Sequence, residues 1–99
     1  MIDGYLLNMH VFNKVEDSKG QALKPLEEAT EVFGARQARY NMRFASRDAQ
    51  GAFRDDLIDE CMDTVQAIAN LLAAIGATQG EVDDAIKRMD ERNEYRCRL

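Results

Sequence analysis

The feature that most narrows the fold is the spacing of apolar residues in two long runs. Leu26, Ala29, Phe33, Tyr40 and Phe44 recur at helical intervals in the first, and Leu57, Ile58, Cys61, Val65, Ile68, Leu72 and Ile75 in the second. Such spacing stacks side chains on one face of a helix, whereas a strand would alternate every second residue. No stretch alternates in that way, and the chain holds neither an internal repeat nor a low-complexity run. The sequence therefore reads as all-α, one domain over residues 1–99, with its two long helices packed antiparallel.

Local signals place the ends. Pro25 suits a first helical turn, so the first long helix is expected to begin there and run to about residue 46. Within it, Gly34 suggests close approach of another backbone. The stretch Ser46–Gly51 (SRDAQG) reads as a connector, and the second helix as Phe53 to Ile75, closed by Gly76. Thr78 and Glu81 form a capping-box pattern that opens a last helix through Arg96, with Val82, Ile86 and Met89 inward. Ahead of these, Leu6, Leu7, Met9, Val11, Phe12 and Val15 suggest a short N-terminal helix over residues 4–15 capped by Asp3. A polar loop, Glu16 to Gln21, follows it.

At 99 residues the chain can bury only a modest core, which favours a larger core shared through self-association. A net charge of −5 disfavours a nucleic-acid polymer as partner, since such binders present a basic face. No segment resembles a signal peptide, a membrane span or a basic amphipathic membrane-surface helix. Cys61 and Cys97 make neither a disulfide framework nor a zinc spacing. The expectation is a cytoplasmic protein with no membrane partner.

The acids carry the chemistry. Glu27, Glu28 and Glu31 lie in the first helix, and Glu60 and Asp63 in the second. A step of three leaves two side chains on one helix face, one turn apart. If the two helices pack antiparallel, four carboxylates can enter one small volume, where they would repel unless a cation joined them. Oxygen ligands alone suit a hard ion, Mg²⁺ above all. Against this, Glu28 and Glu31 sit nearly opposite the Leu26–Phe33–Tyr40 stripe at about 100° per residue, and such a face is ordinarily solvated. Yet the same stripe continues through Ala35, Ala38 and Met42, and that of Glu60 and Asp63 through Ala67, Asn70 and Ala74. Small, neutral residues there suggest two helix faces that approach each other or leave room for a ligand.

The pattern E-E-x-x-E, 28 residues between Glu31 and Glu60, then E-x-x-D, resembles the MazG-type all-α nucleoside triphosphate pyrophosphatases. The resemblance spans Leu23 to Arg96, and Arg92-Asn93-x-x-Arg96 is similar to a basic K-N-x-x-R element of that superfamily, with Arg in place of Lys. It implies a helical bundle completed by a homodimer or homotetramer. It also implies Mg²⁺, or Mn²⁺ in its place, held by Glu28, Glu31, Glu60 and Asp63. The implied reaction is hydrolysis of a nucleoside triphosphate between its α- and β-phosphates, giving monophosphate and pyrophosphate. Glu28 or Glu31 is the candidate to accept the water's proton.

For phosphate contacts, Arg92 and Arg96 come first, with Lys14, Lys24 and Lys87 behind them, although basic residues near a helix C-terminus also suit its dipole without any ligand. Asn93 and Asn70 can bond phosphate, sugar or base, but each more often makes a surface or helix contact. Tyr40, Phe44 and Phe53 can stack on a base, though aromatics at helical spacing are more often core. His10, Ser18 and Ser46 have no triad context. Two other readings stand beside the main one. The first is hydrolysis of another phosphoribosyl nucleotide. The second is a non-catalytic acidic helical oligomer, an adaptor or antitoxin-like partner.

Overall fold

The computed structural model describes residues 4–99 and contains three helices: α1 (Lys19–Asn41), α2 (Arg47–Ala74) and α3 (Gln79–Tyr95). No strand occurs among the described residues, so the fold is all-α. Helices α1 and α2 pack along one another. Glu28 meets Glu60 and Asp63, while Lys24 shares a recess with Gln66 and Ala67. Residues equally far from the connector thus meet, which only an antiparallel pair allows.

The helix ends follow side-chain chemistry more closely than apolar spacing. Helix α1 begins six residues before Pro25, because Ser18 caps it by accepting a hydrogen bond from the Gln21 amide at 3.2 Å. Pro25 lies inside the helix. At the other end α1 stops at Asn41 rather than near residue 46, and most of the expected connector is helical. Ser46 accepts from the Ala49 amide at 3.2 Å and starts α2 at once, so only Met42 to Ser46 joins the helices.

Two sequence signals appear as read. Gly76 takes φ +76°, with the Ala77 amide donating to the Leu72 carbonyl and the Gly76 amide to that of Ala73, both at 3.0 Å. That left-handed turn satisfies the last carbonyls of α2. Thr78 and Glu81 then form a reciprocal capping box, at 3.0 and 3.2 Å. Gly34, by contrast, faces open space rather than another backbone.

The expected N-terminal helix over residues 4–15 is absent: described residues 4–15 are irregular. Its proposed cap, Asp3, lies outside the described residues. The competing partners sit on α2. Asn70 Oδ1 accepts from the Phe12 amide at 3.0 Å, and Gln66 Nε2 donates to the His10 carbonyl at 2.8 Å and to Asn70 Oδ1 at 3.1 Å. Val11, Phe12, Val15 and the neighbouring Asn8 and Asn13 are weak helix formers, so the segment gives its backbone groups to α2 instead.

Packing overturns the expected inward stripe of α1. Its protected positions are Gln21, Pro25, Glu28, Val32, Ala35 and Ala38, the line through Glu28, with Gln37 beside them. Leu26 and Phe33 are 65% and 66% exposed, and Tyr40 and Phe44 also face outward. On α2, Ile58, Ile68 and Ile75 are exposed, while Ala67 and Asn70, at 4% and 3%, are the only fully buried described residues. The helices meet through small residues because these let two backbones approach.

One copy therefore leaves much apolar surface uncovered. The radius of gyration is 16.3 Å, against about 13 Å for a self-contained domain of 100 residues. Accessible surface is 8346 Å², where a folded monomer of this mass exposes about 5,700 Å². No helix among the described residues is long and apolar enough to cross a membrane.

Candidate metal centre

Three carboxylates converge where α1 and α2 face each other. Glu28, Glu60 and Asp63 each offer an oxygen within 4.8 Å of the others. Glu28 and Glu60 are half-buried and Asp63 is exposed, so the cluster sits at a mouth rather than in a closed core. Helical geometry makes the meeting possible. Glu60 and Asp63 are one turn apart on α2, and Glu28 lies on the face of α1 that the alanines hold against α2.

Two features distinguish this cluster from a solvated acidic surface. Glu60 Oε2 is shielded from solvent and has no hydrogen-bond partner. A buried acceptor without a partner costs about 1–3 kcal/mol, more when charged, so something is expected to satisfy it. The carboxylates also repel, each pair by about 3.5 kcal/mol at 4.8 Å and an effective dielectric of 20, and less where water reaches Asp63. One cation stands nearby: Lys24 Nζ lies 3.6 Å from Glu28 Oε1 and 3.4 Å from Glu27 Oε2. Its hydrogen bond to Glu27, then the charges of Glu27 and Glu28, raise the Lys24 pKa above its ordinary value. The ammonium thus stays charged through neutral pH but offsets only part of the cluster. An all-oxygen set with an orphaned acceptor fits a small hard cation such as Mg²⁺.

A recess of about 140 Å³ adjoins the acids, lined by Phe12, Lys24, Glu28, Asp63, Gln66, Ala67 and Asn70. Its wall is built by the N-terminal segment that Asn70 and Gln66 hold down, a contribution that sequence reasoning missed. The signal was weak: a lone Gln and Asn one turn apart on the otherwise apolar last turns of α2.

The remaining candidates are scattered. Glu31 is exposed and lies outside the converging set. Arg92 and Arg96 line a groove on α3 with Arg88, Glu91 and Tyr95, away from the acidic recess. Asn93 is half-buried and accepts a long hydrogen bond, 3.5 Å, from Arg98. Lys14 and Lys87 are exposed and line neither the acidic recess nor the α3 groove. Asn70 sits at the site, but its carbonyl oxygen is engaged by Phe12 and Gln66. Of the residues assigned to the site from sequence, the structure brings together Glu28, Glu60, Asp63, Lys24 and Asn70.

Comparison with protein-family models, with curated proteins and with solved structures returns no match to this chain.

Proposed function

We propose that the chain is a metal-dependent pyrophosphohydrolase of the MazG-like type. In this reading it hydrolyses a nucleoside triphosphate between the α- and β-phosphates, yielding monophosphate and pyrophosphate. The observation that carries it is the convergence of Glu28, Glu60 and Asp63, together with a shielded Glu60 oxygen that has no hydrogen-bond partner. Those three residues would hold Mg²⁺, or Mn²⁺ in its place. The ion would supply charge neutralisation at the phosphates and lower the pKa of the attacking water.

The chain's own residues divide the remaining work. Glu31, one turn from Glu28 and outside the ligand set, is the carboxylate left to take the water's proton. Lys24 has its ammonium on the recess wall and turns from Glu27 towards substrate phosphate. Phe12 and Asn70 bound the recess and limit water. Arg92, Asn93, Arg96 and Lys14 are assigned to phosphate contacts by the family resemblance alone.

Self-association belongs to the same reading. The surface excess is roughly 2,600 Å² per chain over a folded monomer, the scale that obligate interfaces bury. The uncovered stripes on α1 and α2 would form a homodimer or homotetramer core. Free Cys61 and Cys97 suit a reducing cytoplasm.

Product analysis on a panel of ribo- and deoxyribonucleoside triphosphates with Mg²⁺, beside Glu60→Gln, tests the proposal. Monophosphate plus pyrophosphate, abolished in the variant, is expected. Diphosphate plus orthophosphate would mean the wrong bond. No turnover together with no Mg²⁺-induced rise in melting temperature would leave a non-catalytic helical oligomer.

A further inference from the structure

The end of the α1–α2 hairpin carries an opposite charge from the rest of the molecule. Between Ala35 and Arg54 the chain has five arginines and one acid, Asp48, although its net charge is −5. Three of them, Arg36, Arg39 and Arg43, line a recess of about 250 Å³ with Tyr40 and Gln50. No carboxylate lies within 4.0 Å of these guanidinium groups among the described residues.

The recess is organised rather than a loose basic surface. Arg36 and Arg43 both stack on Tyr40, at 5.0 and 4.0 Å from the ring centre, and Arg43 also lies 4.8 Å from the centre of Phe44. Arg43 Nη1 donates to the Tyr40 carbonyl at 2.9 Å, and Arg36 Nη1 to Gln37 Oε1 at 2.7 Å. Each contact fixes a guanidinium plane while using one of its five N–H donors. The dipole at the end of α1 accounts for Arg39, the one basic residue of the last turn. It does not require three cations around one recess, two of them on the same ring, where they repel one another.

We propose that Arg36 and Arg43, stacked on Tyr40, form with Arg39 and Gln50 a binding site for a small multivalent phosphate. Convergent planar guanidinium groups match the paired oxygens of a phosphoryl group. The recess suits a small anion rather than a nucleic-acid polymer, because the basic surface is short and the rest of the chain would repel a long polyanion. Along α1, Arg36 and Arg39 stand about 12 and 16 Å from Glu28, and Arg43 lies in the connector beyond, so this site is separate from the acidic centre and does not rest on the pyrophosphohydrolase reading.

Calorimetric titration in EDTA at low salt tests it on the full chain in its solution oligomer. The probes are inorganic pyrophosphate and a nucleoside triphosphate, against wild type, Arg39→Gln/Arg43→Gln and Glu60→Gln. Both arginines are exposed, so the double variant should keep its helical circular dichroism. Expected are binding by wild type and Glu60→Gln alike, and affinity at least about tenfold lower in the double variant, with salt weakening it. Equal affinity for the two probes assigns the site to phosphate alone. Tighter triphosphate binding assigns it to a nucleotide tail. Three results would overturn the proposal: no metal-free binding by wild type, equal binding by the double variant, or loss of binding in Glu60→Gln. A shift of oligomeric state in the double variant without an affinity change also overturns it, because acids of a neighbouring copy would then be what these arginines face.

Discussion

The two long faces of α1 contrast sharply. One, through Glu28, Val32, Ala35 and Ala38, is small or polar and lies against α2. The other, through Leu26, Phe33 and Tyr40, is large and apolar and faces outward. Ordinary amphipathic logic would reverse the assignment. The contrast teaches that α1 gives its small face to α2 and leaves its large apolar face uncovered in a single copy. Small residues let α2 come close enough to bring three carboxylates together, and the large residues remain for a surface that a single copy does not supply. Substitutions on either face can break or sharpen that distinction.

The largest effect is expected at the inner face. Glu60→Gln should lower turnover by at least about 100-fold and remove the Mg²⁺-dependent rise in melting temperature. Glu31→Gln should also lose turnover while keeping that rise, since Glu31 lies outside the converging set. Melting curves with and without Mg²⁺, read beside product release, separate the two roles. A Glu31→Gln protein that lost its Mg²⁺ response would return Glu31 to the ligand set.

The outer face comes next. Phe33→Asp should cost about 2–4 kcal/mol or dissociate the oligomer if a second copy covers it, because a charge would enter an apolar contact. On a free surface the same change should stay within about 0.5 kcal/mol. Sedimentation at several concentrations, with chemical denaturation, distinguishes these outcomes. A stable monomer for both proteins would sink the shared-core reading.

How much of this was legible in the sequence depends on which interaction decided each element. Capping chemistry was legible where it was local: Thr78 with Glu81, and Gly76 after α2, are complete in a few residues. The pairing of the Glu28 and Glu60 faces was also readable, from the alanines and Asn70 that continue those stripes. Periodicity failed on α1 because hydrophobicity marks a face as apolar, not which face the neighbouring helix takes. The N-terminal segment failed for a different reason. Its fate was set by Asn70 and Gln66, more than fifty residues away, and no local pattern announces such a clamp. Glu28 could be assigned to a cluster, but the scatter of Arg92, Asn93 and Arg96 depends on where α3 points after Gly76.

That clamp gives a further test of the seam. Asn70→Ala removes the acceptor of the Phe12 amide and the neighbour of Gln66. Leaving that donor unsatisfied should cost about 1–3 kcal/mol, and cleavage within residues 4–15 should accelerate because their backbone loses its tether. Ala67→Leu, at the adjoining buried position, should cost a similar 1–3 kcal/mol by overpacking without speeding that cleavage. Limited proteolysis of the two variants beside denaturant melts therefore separates clamping from packing.

The smallest effect is expected where α3 ends. Cys97 adopts φ 58°, with its amide donating to the Glu94 carbonyl at 3.0 Å and the Arg98 amide to that of Asn93 at 2.8 Å. This is the same left-handed helix stop that Gly76 makes after α2, but here a side chain occupies the position. A residue with a Cβ pays roughly 1 kcal/mol there. Cys97→Gly should recover a few tenths of that, because glycine's freer unfolded chain offsets part of the gain. The reciprocal change, Gly76→Ala, should cost more than Cys97→Gly returns. Gly76 fixes the turn between two helices, whereas Cys97 closes only one. If the two changes proved equal in size, the turn after α2 would hold α3 no more firmly than the end of α3 holds the residues after it.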